Sequence, residues 1–332
     1  MGDAVTGAGG TPPSVVFGPV PSRRLGRSMG INNIPSKHCS YSCVYCQVGR
    51  TTNMSVTRRV FYDPDSILRE LTEKLDEVRA GGDAVDYVTV VPDGEPTLDI
   101  NLGRLLDGIN STGVPSAVIS NSSLITYPDV REELMRSSWV SLKADGVRTE
   151  VWKAVDRPHG ALRLENILEG IMEFSRDHSG RLVTETMLVE GMNTGTRDLE
   201  ALADFLAKVG PATVYLSVPS RPPAEPGIGP PSTETLNRAY QILASRLENV
   251  EYLTGYEGED FSRSGELVAG LLSILAVHPM RESAVLRYLS DVKDPEAKLG
   301  ELVRDGLVGR EVHLGEVYYL LRPPASSDGS GG

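Results

Sequence analysis

Between Asp63 and Val218 short apolar runs alternate with amphipathic stretches, and no other feature of this 332-residue sequence restricts the fold as strongly. Asp63-Pro64 supplies an N-cap and a first-turn proline, and Ile67, Leu68, Leu71, Leu75 and Val78 follow at helical spacing until Gly81-Gly82 ends the pattern. Tyr87–Val91, Ala117–Ser120, Trp139–Lys143, Leu182–Val189 and Thr213–Val218 read as strands. Helical patterns separate them: Leu102–Ile109, Asp129–Arg136, the face formed by Leu164, Ile167, Leu168, Ile171 and Met172, and Leu199–Val209. With a first strand at about Met29–Ile34, the chain makes six β-α steps. Strands separated by helices pair in parallel through right-handed crossovers. Two α/β architectures satisfy this pattern, a full or partial barrel and an open doubly wound sheet. Both place their chemistry on loops at the C-terminal strand ends.

A proline-rich loop, Pro219–Pro231, follows the sixth strand, then a helix (Thr233–Leu247) and a short strand (Val250–Leu253). From about Phe261 the pattern changes to three helices (Glu266–Ala276, Arg281–Ser290, Pro295–Asp305) and two strands (Val308–His313, Glu316–Leu321) joined by Leu314-Gly315. Three helices and a hairpin predict a winged-helix-like module. Residues 262–323 hold eight Lys/Arg against nine Asp/Glu, a balance that argues against tight non-specific DNA binding. The expected organisation is a tail over 1–16, a core over 17–258, the small module over 259–323 and a second tail over 324–332. The N-terminus lacks a basic region followed by an apolar one, so it does not read as a secretory signal. Gly2 and Thr6 fit the loose myristoylation pattern, but the surrounding Gly/Pro composition reads as a flexible tail. No run of ~18 apolar residues exists to suggest a membrane partner.

The chain has three cysteines, Cys39, Cys43 and Cys46, all within eight residues. A disulfide framework needs more cysteines, spread along the chain, so these read as reduced thiols in a cytoplasmic protein, clustered to bind metal. Three thiolates on a tight loop can hold three irons of a cubane cluster and leave the fourth open. A structural zinc would want a fourth ligand. His38, adjacent to Cys39, is sterically awkward for that, although a more distant histidine could serve. Charge is also uneven. From Ala4 to Tyr62 there is no Asp or Glu, yet there are seven basic residues: Arg23, Arg24, Arg27, Lys37, Arg50, Arg58 and Arg59. This segment predicts either an anionic partner or pairing with acidic residues elsewhere in the fold.

Cys-x3-Cys-x2-Cys with Tyr45 before the last cysteine resembles the radical S-adenosylmethionine superfamily. The resemblance runs over roughly residues 17–255. Pro92-Asp93-Gly94-Glu95-Pro96-Thr97, after the second strand, is similar to the family's Gly-Gly-Glu-Pro motif, with Asp93 in place of the first glycine. Ser120-Asn121-Ser122 is similar to its Thr-Asn-Gly-type segment, and Ser141-Leu142-Lys143 to the Asp-x-Lys element of glycyl-radical activating enzymes, with Ser141 replacing the aspartate. The resemblance implies a partial (βα)6 parallel barrel and a [4Fe-4S] cluster on Cys39, Cys43 and Cys46. It implies S-adenosylmethionine near Tyr45, Asp93, Gly94, Glu95, Pro96, Asn121, Ser141, Lys143 and Glu185. Lys143 would meet the methionine carboxylate. A one-electron donor of ferredoxin or flavodoxin type would reduce the cluster, and a 5′-deoxyadenosyl radical would abstract hydrogen from the substrate.

Phe17–Gly26 and His278-Pro279-Met280-Arg281-Glu282 are similar to a subgroup placed with the tRNA wyosine synthases. Archaeal wyosine synthases carry three further cysteines for a second cluster, and this chain has none to supply one. Arg157, His159 and Arg221, on loops after the fourth and sixth strands, are candidates for substrate contact through phosphate or carboxylate binding and proton relay. The substrate class remains open among RNA or another anionic molecule, a protein, and, without catalysis, an interaction module built on a cluster or zinc.

Overall fold

The computed structural model describes residues 14–253 and 267–322. Most of the expected N-terminal tail, including Gly2 and Thr6, lies outside them, as do the boundary at 258/259, the first residue of the helix expected from Glu266, and the tail over 324–332.

The chain opens with a hairpin, β1 (Val16–Ser22) and β2 (Gly26–Ile31), and a pair of two-residue strands, β3 (His38–Cys39) and β4 (Asn53–Met54). Then come α1 (Pro64–Ala80), β5 (Tyr87–Val90), α2 (Leu102–Ser111), β6 (Ser116–Ser120), α3 (Pro128–Leu134), β7 (Trp139–Lys143), α4 (Thr149–Asp156) and α5 (Leu164–Asp177). The core finishes with β8 (Arg181–Met187), α6 (Thr196–Val209), β9 (Thr213–Ser217), α7 (Thr233–Ala244) and β10 (Val250–Tyr252). After the gap stand α8 (Leu267–Val277), β11 (Met280–Arg281), α9 (Glu282–Tyr288), α10 (Pro295–Arg304), β12 (Val308–His313) and β13 (Glu316–Leu321).

One eight-stranded sheet carries the core, in the order β1-β2-β5-β6-β7-β8-β9-β10. From β2 to β10 every pairing is parallel. The strand order never reverses. Successive right-handed crossovers therefore keep every helix on one face, whereas a doubly wound sheet needs a reversal. The partial barrel is the architecture present. It has one parallel strand more than the six expected, because β10 joins β9.

Alternation along the strands sorts the two faces. Val118, Val140, Leu142, Leu182, Val214 and Leu216 point outward into the main core beneath the helices. Ala117, Trp139, Val183 and Tyr215 point inward and, with Leu25 and Leu253, fill the interior. One step further along β7 and β8, directly paired neighbours Lys143 and Glu185 share this inner face. Apolar filler thus gives way to charge toward the C-terminal strand ends. Both faces are covered, which is why these strands read as continuous apolar runs.

The first strand differs from expectation. It begins at Val16, inside the expected tail, and runs antiparallel to β2. Pro19 and Pro21 disguise it, but an edge strand tolerates prolines. The C-terminal module holds a three-stranded antiparallel sheet, β11-β13-β12, rather than a hairpin alone. Its apolar core includes Phe17 of β1, with Val20 and Val91 packed against it, so the module seats directly on the hairpin. Among the described residues, no helix is long and apolar enough to cross a membrane.

Candidate active site

A cavity of about 330 Å³ opens inside the sheet at its C-terminal strand ends. Cys39, Cys43 and Cys46 line it together with Tyr45, Asp93, Gly94, Asn121, Lys143, Glu185 and Arg221. Three loops converge here, and the reason lies in how each is fastened.

The cysteine loop is laced to the end of β5. Lys37 N–H donates to Asp93 O (2.8 Å) and Glu95 N–H donates to His38 O (3.1 Å). Gly94 lies between these bonds, where a Cβ would stand 1.9 Å from His38 O. The far side of the loop is held by Val44 N–H donating to Val155 O (2.9 Å), at the end of α4. Trp152 of α4 donates its indole N–H to Tyr41 (3.0 Å). His38 turns away: its Nδ1 lies 3.4 Å from Ser36 O, and its ring meets Phe61 edge-on at 5.5 Å.

Glu95 is fully buried and does not line the cavity. It accepts from Thr97 N–H (3.1 Å), Thr97 Oγ1 (2.6 Å), Ser120 Oγ (2.8 Å) and Asn121 N–H (2.7 Å). One carboxylate thereby joins the end of β5 to the end of β6. This arrangement aims Asn121, whose Nδ2 donates to Cys39 Sγ (3.4 Å) and Ser40 Oγ (3.0 Å). Glu95 thus anchors the turn rather than facing a cation, and Pro96 opens the short 3-10 turn behind it. Ser141 is buried one step below Lys143 on the inner face; its hydroxyl finds no partner among the described residues, and the residue does not line the cavity.

Burial dominates the titration of the thiols. It pushes Cys39 up to about 12, with the Glu95 carboxylate adding to the effect, and Cys43 well above its ordinary value beside Asp156. The Cys43 thiol lies 3.4 Å from Asp156 Oδ1, and burial with the neighbouring Asp145 raises that carboxyl strongly. Tyr45 donates its hydroxyl to Asp145, and its ring lies 4.9 Å from Lys143 Nζ. Asp93 is 3 % exposed, and burial raises it to about 7. Its Oδ1 has no hydrogen-bond partner among the described residues, although the residue lines the cavity.

A chain of charges crosses the interior. Arg24 pairs with Glu185, whose Oε1 lies 3.5 Å from Lys143 Nζ; Lys143 stands 3.6 Å from Asp145. Burial would raise Glu185, yet Arg24 and Lys143 outweigh it and hold the carboxyl at about 2. Burial would lower Lys143, but Asp145 and Glu185 keep it cationic. Replacing Glu185 by Gln leaves two buried cations short of a partner. The expected loss is about 3 kcal/mol at pH 7, or a Tm lower by roughly 5–10 °C. The native pair requires an ionised carboxylate, with a folded value below the ordinary 4.5. Its contribution is therefore complete above about pH 4.5 and fades as pH falls toward 2. Thermal melts at pH 7 and pH 4 check this: the gap between wild type and Glu185→Gln narrows at the lower pH.

The acid-free segment splits between its two expected roles. Arg27 pairs with Asp83, Arg50 with Glu225, and Arg58 with Asp129 and Glu133, all away from the cavity. Arg23, Arg24 and Lys37 line the cavity. The two arginines come from the hairpin tip, where Ser22 Oγ accepts from the backbone N–H of Arg24 and Leu25 (3.3 Å each). Only the charge bias in the sequence signals them. Arg157 and His159 stand apart from the cavity. Arg157 pairs with Glu225 (2.6 Å), while His159 N–H donates to Ser40 O (2.8 Å) and its Nδ1 accepts from Ala161 N–H (3.2 Å). Their loop braces the cysteine loop through Ser40 and lies outside the set of residues that line the cavity.

Residues 33–206, just over half the chain, match the family model described as the radical SAM superfamily. A UPF0026 protein of Methanocaldococcus jannaschii is 38% identical over 309 residues, which cover 92% of this chain and 96% of that one. A UPF0026 protein of Synechocystis is 37% identical over 209 residues, covering 62% and 76%. Among solved structures, a radical SAM methyltransferase from Sphaerobacter thermophilus superposes with a TM-score of 0.51 at 17% identity, over 69% of this chain and 67% of that one. Streptococcus suis SuiB bound to S-adenosylmethionine gives 0.52 at 14% identity, over 68% and 50%. These two likenesses concern the fold. The family match and the full-length relative carry the assignment: this chain belongs to the radical SAM superfamily and is a radical SAM enzyme, which uses a [4Fe-4S] cluster and S-adenosylmethionine.

Proposed function

We propose that Cys39, Cys43 and Cys46 hold three irons of the cluster, that Asp93, Gly94, Asn121, Lys143 and Glu185 bind and orient S-adenosylmethionine, and that the enzyme modifies an anionic substrate. One observation carries this reading: three thiols, an unpartnered buried carboxylate oxygen and a cationic lysine face one cavity. The residues fit the two groups. No three His, Cys, Asp or Glu side chains among the described residues close on a point for a single metal ion. The three cysteines line one cavity, a donor set of the kind that holds an iron–sulfur cluster. Asp93 Oδ1 offers a counter-charge for an ammonium, and Lys143, at the end of β7, one for a carboxylate. Tyr45 and Asp145 fix Lys143 from behind. Asn121 donates to Cys39, a hydrogen bond of the kind that tunes a cluster's potential.

When bound, the cluster supplies the electron that cleaves the sulfonium of S-adenosylmethionine and so yields the hydrogen-abstracting 5′-deoxyadenosyl radical. The chain's own work is to hold, orient and shield. Family membership sets aside the non-catalytic reading. A one-electron donor of ferredoxin or flavodoxin type belongs to the proposal.

Anaerobic reconstitution with iron and sulfide, reduction, and addition of S-adenosylmethionine should yield 5′-deoxyadenosine. A fully loaded cluster without that product sinks the proposal. Turnover against cell extract, with mass spectrometry of RNA, protein and small anions, then identifies the substrate.

A further inference from the structure

Asp145 follows β7 by two residues and does not line the cavity, yet three residues that do line it converge on its carboxylate. The side chain is fully buried. Its Oδ1 accepts from Met187 N–H (2.6 Å), at the end of β8, and lies 3.6 Å from Lys143 Nζ, at the end of β7. Its Oδ2 accepts from the hydroxyl of Tyr45, on the cysteine loop. The backbone is pinned as well. Asn193 Nδ2 donates to Asp145 O (2.9 Å) and to Met187 O (2.7 Å), while Asn193 Oδ1 accepts from Val189 N–H (2.8 Å). The turn after β8 holds Asp145, and Asp145 in turn joins two strand ends to the loop that carries the thiols.

Each of the three contacts settles something the chain leaves loose. Lys143 has a flexible four-carbon stem, and a fixed counter-charge selects where its ammonium stands. Glu185, the other carboxylate beside it, is shared with Arg24, so Asp145 is the anion that belongs to Lys143 alone among these ion pairs. Tyr45 lies between Cys43 and Cys46, so holding its hydroxyl holds the loop between two thiols. Tyr45 and Met187 pack against Val151, Val155 and Val189, and such apolar surroundings strengthen both the hydrogen bonds and the ionic attraction.

We propose that Asp145 is a positioning residue for S-adenosylmethionine binding, acting through Lys143, Tyr45 and the end of β8. It keeps the strand ends that receive the cofactor in register with the cysteine loop. This rests on the reading of the cavity as the cofactor site and adds to it a residue outside the cavity lining.

Equilibrium dialysis of S-adenosylmethionine against the reconstituted, unreduced full chain tests the proposal. Iron content is read on every sample, because Asp145 also neighbours Asp156 beside Cys43. Asp145→Ala removes all three contacts and is expected to weaken binding about tenfold or more, the loss of at least one hydrogen bond to a charged group. Asp145→Asn keeps an oxygen for Met187 N–H and turns an amide toward the Tyr45 hydroxyl, but drops the charge beside Lys143. It recovers part of the loss. Tyr45→Phe weakens binding about threefold, and costs little more in the Asp145→Ala background. Asp83→Asn, in the surface pair with Arg27, leaves binding unchanged. In the reduced protein, cofactor sufficient to shift the wild-type cluster's EPR signal completely shifts that of Asp145→Ala only in part. If Asp145→Ala does not fold, Asp145→Asn and Tyr45→Phe still decide the matter. Three results overturn the proposal: binding survives every Asp145 substitution while Tm falls, the Asp145 and Tyr45 losses add in full, or binding is lost only in step with iron. The first makes Asp145 a brace of the fold, and the last assigns it to cluster retention. A wild type that loads its cluster but binds no S-adenosylmethionine faults the proposed function, and this inference falls with it. Wild-type binding that the Asp145 variants retain faults this inference alone.

Discussion

Alanine at any one of Cys39, Cys43 or Cys46 is expected to abolish cluster assembly and to lower 5′-deoxyadenosine formation by more than about 100-fold. Changing a group that merely supports a metal ligand typically costs 10- to 100-fold, and a lost ligand costs more. The chain offers no substitute, because it has no fourth cysteine. His38 is the nearest alternative in sequence, but its ring is turned onto Phe61 and toward Ser36 O. Stability of the cluster-free protein should change little by comparison. Cys39 and Cys46 are only partly buried, and the loop is held by backbone bonds to Asp93, Glu95 and Val155 rather than by sulfur. Iron content, visible absorbance and circular dichroism on the three variants check this together. A variant that keeps a full cluster, or one that loses its fold along with the iron, contradicts this account of the loop.

The sheet was legible because its strands are covered on both faces and therefore announce themselves as apolar runs. What no local pattern reveals is strand order, and order is what separates a partial barrel from a doubly wound sheet. The hairpin strand β1 was hidden by Pro19 and Pro21, which only an unpaired edge tolerates. Its tip hid two cavity residues as well. Barrel chemistry is expected at C-terminal strand ends, whereas Arg23 and Arg24 enter from the turn that precedes β2. The cysteines were legible as a group because they lie within eight residues on one loop, and that loop brings all three to the cavity. Ser141 and Lys143 share one inward face, and only depth decides that Lys143 reaches the cavity and Ser141 does not. Arg157 and His159 lie on a loop at the expected end of the sheet. Whether such a loop faces the cavity or braces its wall depends on tertiary contacts, here Glu225 and Ser40, distant in sequence from both.

Gly94→Ala should cost the cluster while leaving all three cysteines in place. The methyl carbon would stand 1.9 Å from His38 O, 2.9 Å from His38 C and 3.0 Å from Ile34 Cδ1. The first two are backbone atoms and cannot swing aside. Space, not conformation, is the constraint, because Gly94 is absent from the positive-φ glycines. Relief requires the cysteine loop to move away from the end of β5. That breaks the Lys37–Asp93 and His38–Glu95 backbone bonds, each worth about 1 kcal/mol, on top of about 1–3 kcal/mol for the overpacking. A total of about 3–5 kcal/mol lowers Tm by roughly 6–20 °C. Cys39 directly follows His38, so the displaced loop also carries the first thiol off its mark. Asn121, aimed at Cys39 by Glu95, then donates into empty space. The expected result is a folded but less stable protein that takes up little iron under conditions that load the wild type. Full iron uptake with an unchanged Tm would show that the loop and the strand end are not held in register through this glycine. The motif's glycine is therefore a statement about distance: the strand end that lines the cavity and the loop that carries the thiols must touch, backbone to backbone, for both to serve one cavity.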